Sequence, residues 1–147
     1  MFELVHILST FSIGLFAGAL LTEGCILVPY WRRMDASDFF RLHGNMGFDL
    51  FRYFAPLTVL AVTMSILSAG ISLASDAPVI WPLVAAGLCV VVLSIFFLYF
   101  KKTNDKFAKH IIQDSQLPAE LSRWAMWHWF RTVLVMIAFA ASITAAI

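Results

Sequence analysis

Four long apolar stretches divide the chain and limit its fold more than any other feature. They run from about Leu4 to Tyr30, Phe51 to Ala74, Val79 to Phe100 and Leu121 to Ile147. A helix needs roughly 20 apolar residues to cross a hydrocarbon core of about 30 Å, and each stretch is long enough. Of the 147 residues, 61% are hydrophobic and 13% are charged, which is unusual for a soluble domain. The sequence therefore predicts a single-domain, all-α polytopic membrane protein, an antiparallel bundle of four transmembrane helices.

The connections between the predicted spans differ in length. Residues 31–50 and 101–120 form two polar connections, and the first of them is expected to be helical from about Ser37 into the second span. Residues 75–78 are expected to form a tight turn, in which Pro78 opens the third helix. The second and third spans are therefore predicted to form an antiparallel hairpin.

The placement of basic residues predicts the orientation in the membrane. The N-terminus, the 75–78 turn and the C-terminus carry no lysine or arginine. By the positive-inside rule, we expect a multi-pass protein of the plasma (inner) membrane, with both termini outside and the 31–50 and 101–120 connections in the cytoplasm. The net charge of +1 gives no reason to expect nucleic acid as a partner. The basic residues in or beside the two connections are Arg32, Arg33, Arg41, Arg52, Lys101, Lys102, Lys106, Lys109 and Arg123.

Glu23 is an ionisable residue inside the first predicted span. Such a group is costly in a membrane unless it faces a partner or a wet cavity, so it marks a candidate functional site. On a helical wheel Glu23 shares a face with Ser9, Ser12 and Tyr30, and this face is expected to point into the bundle. The alternative is a structural carboxylate paired with an arginine or a hydroxyl.

The fourth predicted span carries an aromatic, an imidazole and a guanidinium on one stripe. Trp124, His128 and Arg131 recur at i, i+4 and i+7, and Trp127 lies one step to the side. His128 and Glu23 are expected to lie at similar depths in the membrane. Two structural alternatives remain open: the tryptophans form an interfacial aromatic belt, and His128 with Arg131 forms an interhelical hydrogen-bonding pair.

Ionisable and polar residues from four segments are predicted to meet at the basic end of the bundle. His43 and Asn104 belong to the connections at that end, and a four-helix bundle has one interior. A carboxylate and two imidazoles suit a proton relay or a transition metal such as iron, copper or zinc. The predicted metal ligands are Glu23, His43 and His128. Their spacing matches no known metal motif.

Several parts of the chain match a known family. They are Gly14 to Gly18 with Pro29, residues 54–57, Thr103 with Asn104, and Arg123 with Trp124, His128 and Arg131. Through these residues the chain resembles the anthrone oxygenase family of small four-span membrane proteins. The resemblance implies oxygen-dependent oxidation of a polycyclic aromatic, such as an anthrone, to the quinone. It also implies functional roles for His128, Asn104 and Arg131.

The leading functional hypothesis is a membrane-embedded oxidoreductase or oxygenase acting on a lipophilic aromatic substrate, anthrone- or quinol-like, that enters from the bilayer. Arg131 and Asn104 would stabilise oxyanion charge, while Trp124 and Trp127 would wall the pocket. In a metal-free version, His128 or Glu23 would remove an acidic proton from the substrate, and the carbanion would react with oxygen. The predicted catalytic residues are His128, Glu23, Arg131 and Asn104.

Two other hypotheses come from different classes of protein. A small proton-coupled exporter of the multidrug type would exchange a proton at Glu23 and would require a dimer. A b-type cytochrome would use His43 and His128 as the two haem ligands. The expected partners are the lipid bilayer and a lipophilic small molecule, with self-association into a homo-oligomer left open.

Overall fold

The first helical rod changes its geometry once along its length. In the computed structural model, which describes residues 2–75 and 78–146, helix α1 (Phe2–Thr22) runs directly into a π-helical segment (Glu23–Leu27). Helix α2 (Val28–Trp31) continues the same rod. A π-helical turn contains an extra residue compared with an α-helical turn, so the residues that follow it are rotated about the helix axis.

The remaining rods are long and helical. Helix α3 (Ala36–Leu73) has 38 residues and contains both the first connection and the second span. Helix α4 (Ile80–Ile95), a second π-helical segment (Phe96–Phe100) and helix α5 (Lys101–Ala108) follow one another without a break. A 3-10 turn at residues 114–116 leads into helix α6 (Leu117–Ala146).

The predicted fold class is confirmed. Within the described residues the chain forms helices and no strand, and four helical rods are long and apolar enough to cross a membrane. The first connection is helical as predicted, beginning at Ala36. Helix α4 begins at Ile80, two residues after Pro78, so that proline precedes the helix rather than opening it. Asp76 and Ala77, which complete the predicted turn, lie outside the described residues.

The four rods pack in a closed ring. Helix α1 packs against α3 and α6, and α4 packs against the same two helices from the other side. Each rod therefore contacts the rods before and after it in the chain, and α6 closes the ring onto α1. Helix α5 packs against the N-terminal part of α3, which extends the bundle at its basic end. This arrangement is the up-down-up-down topology of a four-helix bundle.

The two halves of the bundle have different cores. The half that contains the chain termini is filled by small and aliphatic side chains, such as those of Ile13, Ala85 and Val135. Small side chains allow helices to approach closely. The basic half is filled by large rings, which include Trp31, Phe39, Phe100, Phe107 and Trp124.

Candidate functional site

Glu23 begins the first π-helical segment and is buried. Its side chain lies on the inward face of the first rod together with Ser9 and Ser12, as predicted. Tyr30 was expected on the same face, but it is 58% exposed, and Trp31 is buried instead. The extra residue of the π-helical segment explains the difference, because it rotates everything after Leu27. Such π turns are frequent at functional sites.

The side chains of Glu23, His128 and Arg131, here called the Glu–His–Arg cluster, form a hydrogen-bonded group between α1 and α6. Arg131 Nη2 donates to Glu23 Oε2 at 2.9 Å and to His128 Nδ1 at 3.0 Å. The exposed fractions are 0% for His128, 5% for Glu23 and 8% for Arg131. A buried ion pair is tolerated when its charges are also hydrogen-bonded, and this one is.

The hydrogen bonds of His128 determine which ring nitrogen carries the proton. Its Nε2 lies 3.0 Å from the backbone carbonyl oxygen of Leu20. A carbonyl oxygen accepts and does not donate, so Nε2 must be protonated. Nδ1 then holds a lone pair, which accepts the hydrogen bond from Arg131. This lone pair is the basic site of a neutral His128, and it lies 3.4 Å from Glu23 Oε2.

Aromatic rings surround the guanidinium of Arg131. Its Cζ lies 4.0 Å from the centroid of the Phe100 ring and 5.8 Å from that of Trp124. Phe100 is the last residue of the second π-helical segment, so each π-helical segment supplies one partner of Arg131. Arg131 Nε is buried and, among the described residues, has no hydrogen-bond partner. The cluster therefore contains one buried charged donor that makes no hydrogen bond within the described residues.

Gly24 allows α6 to approach the first rod closely at this level. A Cβ atom at Gly24 would lie 2.9 Å from His128 Nε2 and 3.0 Å from Trp129 Cζ2. Any side chain at this position would push His128 away from the Leu20 carbonyl. Gly24 was not among the predicted site residues. Its position next to Glu23 is visible in the sequence, but its role depends on which helix packs against it.

Asn104 is connected to the cluster through Trp124. The Trp124 Nε1 donates to Asn104 Oδ1 at 2.8 Å. The Trp124 ring in turn stacks on His128, with centroids 5.1 Å apart and planes 5° apart. Asn104 is exposed, and its hydrogen bond orients the Trp124 ring that lies parallel to the imidazole.

Trp127 lies on the neighbouring stripe of α6. Its ring stacks on Tyr99 at 5.4 Å and meets Phe130 edge to face at 5.9 Å. The structure thus places Trp124 against the Glu–His–Arg cluster and places Trp127 beside the second π-helical segment.

His43 lies apart from Glu23 and His128. It is buried, and its Nδ1 donates to the Phe39 carbonyl oxygen at 3.2 Å. Its ring contacts Trp31 at 4.9 Å, Trp31 contacts Trp124 at 5.6 Å, and Trp124 stacks on His128, so the ring contacts that connect the two histidines run through two indole rings. Within the described part of the chain, no group of three or more His, Cys, Asp or Glu residues is arranged to hold a metal ion.

Comparison with known proteins gives one match. The family model described as anthrone oxygenase matches residues 46–141, which is well over half of the chain. The matched segment contains Asn104, Trp124, His128 and Arg131, whereas Glu23 and His43 lie before it. No curated protein and no solved structure matches the chain.

Proposed function

Because the chain belongs to the anthrone oxygenase family, we propose that it uses dioxygen to oxidise a lipophilic aromatic substrate inside the membrane, at the Glu–His–Arg cluster. The family match supports an oxygenase activity, and the four apolar rods support a substrate that partitions into lipid. The geometry of the cluster supports the residue roles that follow.

The observation that carries the proposal is the unpartnered Nε of Arg131. Leaving a buried donor without a hydrogen bond costs about 1–3 kcal/mol, and a catalytic role is one of the reasons why a native structure keeps such a donor. Among the described residues, the other polar contacts of Arg131 are made by Nη2. An anionic oxygen on the substrate would accept a charge-assisted hydrogen bond from Nε.

The first chemical step is a proton transfer. An anthrone-like substrate carries a CH₂ group opposite a ring carbonyl, and loss of one of its protons gives an enolate. His128 Nδ1 accepts this proton as the general base after the substrate displaces Arg131 from it. Glu23, 3.4 Å from Nδ1, stabilises the imidazolium that forms. Arg131 stabilises the negative oxygen of the enolate.

The second step consumes oxygen. The carbanion carbon of the enolate bonds to dioxygen and gives a peroxide anion, which takes the proton back from His128. The base then removes the remaining proton from the same carbon, the O–O bond breaks, and hydroxide leaves with that proton as water. In total, one CH₂ group and one O₂ molecule give one carbonyl group and one water.

A metal-dependent version of the site receives less support, because the predicted donor groups do not converge on one point within the described residues. Glu23 and His128 both bind Arg131, and a cation in this space would have to displace the guanidinium. His43, the third predicted ligand, lies behind Trp31 and Trp124.

The two alternative functions receive less support. A bis-histidine cytochrome needs His43 and His128 to face one haem, and two indole rings separate them. An exporter that protonates Glu23 would leave the buried charge of Arg131 unbalanced during each cycle. The family match favours neither of them.

The proposed function is tested by oxygen uptake of the purified protein in lipid nanodiscs with anthrone. Because anthrone also oxidises slowly by itself, a blank without protein sets the background rate. We expect one O₂ consumed per quinone formed. We also expect His128→Gln to lower the rate above background by about 10²-fold or more, the usual size of a lost general base.

A matched variant distinguishes a loss of activity at the candidate site from a general effect of mutation. His110→Gln changes an exposed histidine that is hydrogen-bonded to Asp114 and should retain full activity. Metal analysis of the same samples accompanies the assay. The proposal fails if wild type does not exceed the blank, or if His128→Gln is as active as wild type.

A further inference from the structure

Thr132 is a buried residue of α6 that lies one helical turn beyond His128. It is 1% exposed. Its hydroxyl group donates to the backbone carbonyl oxygen of His128 at 2.8 Å, a bond that a threonine within a helix often makes to the residue four positions earlier. Because this bond uses the single proton of the hydroxyl group, the lone pairs of Oγ1 remain available to accept a hydrogen bond.

The hydroxyl oxygen of Thr132 is also a neighbour of the His128 ring. Oγ1 lies 3.4 Å from Nε2 of His128, and the carbonyl oxygen of Leu20 lies 3.0 Å from the same nitrogen. Since the Leu20 carbonyl requires a proton on Nε2, this N–H has two acceptors, one on α1 and one on α6. The contact with Leu20 is the shorter branch of a three-centre hydrogen bond, and the contact with Thr132 is the longer branch.

The direction of each hydrogen bond to the imidazole is therefore fixed. At Nδ1 the guanidinium of Arg131 is able only to donate, and at Nε2 the carbonyl of Leu20 is able only to accept. A free hydroxyl group can do either, but the bond of Thr132 to its own helix uses its proton. Thr132 thus supports the arrangement that the other two partners require, with the proton on Nε2 and the lone pair on Nδ1.

We propose that Thr132 is a positioning residue for the general base, which holds the Nε2–H end of His128 during proton transfer. This inference rests on the proposed function, in which Nδ1 takes a proton from the substrate carbon. The ring then carries a positive charge that both N–H groups share, and acceptors on Nε2–H stabilise it. Glu23 lies 3.4 Å from Nδ1, while Thr132 and the Leu20 carbonyl lie at the opposite nitrogen.

Nitrogen NMR tests the contact in the resting protein, without an activity assay. In wild type labelled with ¹⁵N-histidine in lipid nanodiscs, the His128 signals are those that are absent from His128→Gln, and couplings to the ring protons distinguish Nε2 from Nδ1. We expect a protonated Nε2 and an unprotonated Nδ1. Thr132→Val replaces the hydroxyl by a methyl group, and we expect it to shift the Nε2 signal more than the Nδ1 signal. An unprotonated Nε2 in wild type, or an unchanged Nε2 signal in Thr132→Val, would overturn the proposal.

Thr58→Val provides the matched control. Thr58 is half-buried on α3, and its hydroxyl donates to the carbonyl oxygen of Phe54 at 2.8 Å, the same kind of bond that Thr132 makes to its own helix. Helix α3 supplies no member of the Glu–His–Arg cluster. Both valine variants therefore lose a hydroxyl and its bond to a carbonyl four residues earlier, but Thr132→Val also removes an acceptor from His128. Thr58→Val should leave the His128 signals as they are in wild type, and a shift of equal size in both variants would contradict the proposal.

Kinetic measurements distinguish a positioning role from a purely structural one. Thr132→Val should lower kcat about fivefold and leave KM unchanged, because the lost bond is strongest when His128 carries the additional proton. Thr132→Ser restores a hydroxyl group and should bring kcat to within about twofold of wild type. A kcat in Thr132→Val equal to that of wild type, or a serine variant no more active than the valine variant, would refute the positioning role.

The outcomes for this inference differ from those for the proposed function. If wild type oxidises anthrone and Thr132→Val changes neither the Nε2 signal nor kcat, the oxygenase proposal stands and the role of Thr132 is wrong. If wild type does not oxidise anthrone, the proposed function fails together with the catalytic part of this inference. A shifted Nε2 signal in Thr132→Val would still support the contact in that case, because the NMR measurement needs no substrate.

Discussion

Arg131 is the residue on which the candidate site depends most. Its guanidinium binds Glu23 and His128 through one nitrogen and lies against the Phe100 ring. In a buried setting, the desolvation of both charges is offset by these contacts, and removal of one partner leaves the other uncompensated. The cluster is therefore held together as a unit.

This dependence predicts a strong effect on stability. Arg131→Met should lower the free energy of unfolding by about 3–5 kcal/mol, because it leaves the Glu23 carboxylate buried without a counterion. The double variant Glu23→Gln, Arg131→Met should recover much of the loss. Thermal unfolding in detergent measures both effects. Arg123→Met, which removes an exposed pair with Glu120, is the control and should cost less than about 1 kcal/mol. Equal losses in Arg131→Met and Arg123→Met would contradict this account.

We expect Asn104 to act as a positioning residue, so its substitution should have a milder effect than that of His128. Asn104→Leu removes the acceptor of the Trp124 Nε1 hydrogen bond, a loss of about 1 kcal/mol. We expect a changed near-UV circular dichroism signal and a several-fold fall in kcat, whereas Asn45→Leu, another exposed asparagine, should change neither. An unchanged spectrum with a loss of activity as large as that of His128→Gln would instead show direct participation of Asn104.

At the scale of elements, the two π-helical segments and the contact between α1 and α6 shape the site. The first segment begins at the inward-facing Glu23 and shifts Tyr30 outward, while the second brings Phe100 onto Arg131. Gly24 allows the helix contact at the level of His128. Because packed helices cannot move one side chain without moving their neighbours, small changes here should have large effects.

A single methyl group at Gly24 should disturb the site. Gly24→Ala places a Cβ 2.9 Å from His128 Nε2, so we expect a loss of about 1–3 kcal/mol in stability together with most of the activity. Gly87→Ala meets no described atom within 4 Å and should be neutral or stabilising by up to about 1 kcal/mol. For each variant, the midpoint of thermal unfolding measures stability and oxygen uptake measures activity. Indistinguishable behaviour of the two alanine variants would show that the close approach is not required.

At the scale of the whole molecule, the two ends of the bundle differ in charge, and its two halves differ in the side chains that fill the core. Large rings and the buried ionisable cluster lie in the half next to the lysines and arginines. Small side chains fill the other half. The charge asymmetry predicts that the basic end faces the cytoplasm, so that the Glu–His–Arg cluster lies in the inner leaflet half of the bundle.

The orientation can be measured with a membrane-impermeant maleimide. In a background of Cys25→Ser and Cys89→Ser, single cysteines replace Ser75 or Ser115, which are exposed at opposite ends. We expect Ser75→Cys to react in intact cells and Ser115→Cys to react only after permeabilisation. The reverse pattern would place the basic end outside.

The sequence alone determined the number of spans, their helical nature and the end of the bundle that carries the charge. These properties follow from the length and hydropathy of each segment, which act locally along the chain. Helical periodicity also placed Trp124, His128 and Arg131 on one stripe and Glu23 at a similar depth. Because only one bundle interior exists at that depth, their meeting could be predicted before any contact was known.

Only the tertiary structure decided which of the candidate residues touch. The pairs that form depend on the rotation of each helix about its axis: Arg131 with Glu23, Trp31 with Trp124, and Trp124 with Asn104. Periodicity within one helix does not give that rotation relative to a neighbour, and a π-helical turn changes it partway along the rod. Large rings then fill the space between helices and determine which polar groups meet.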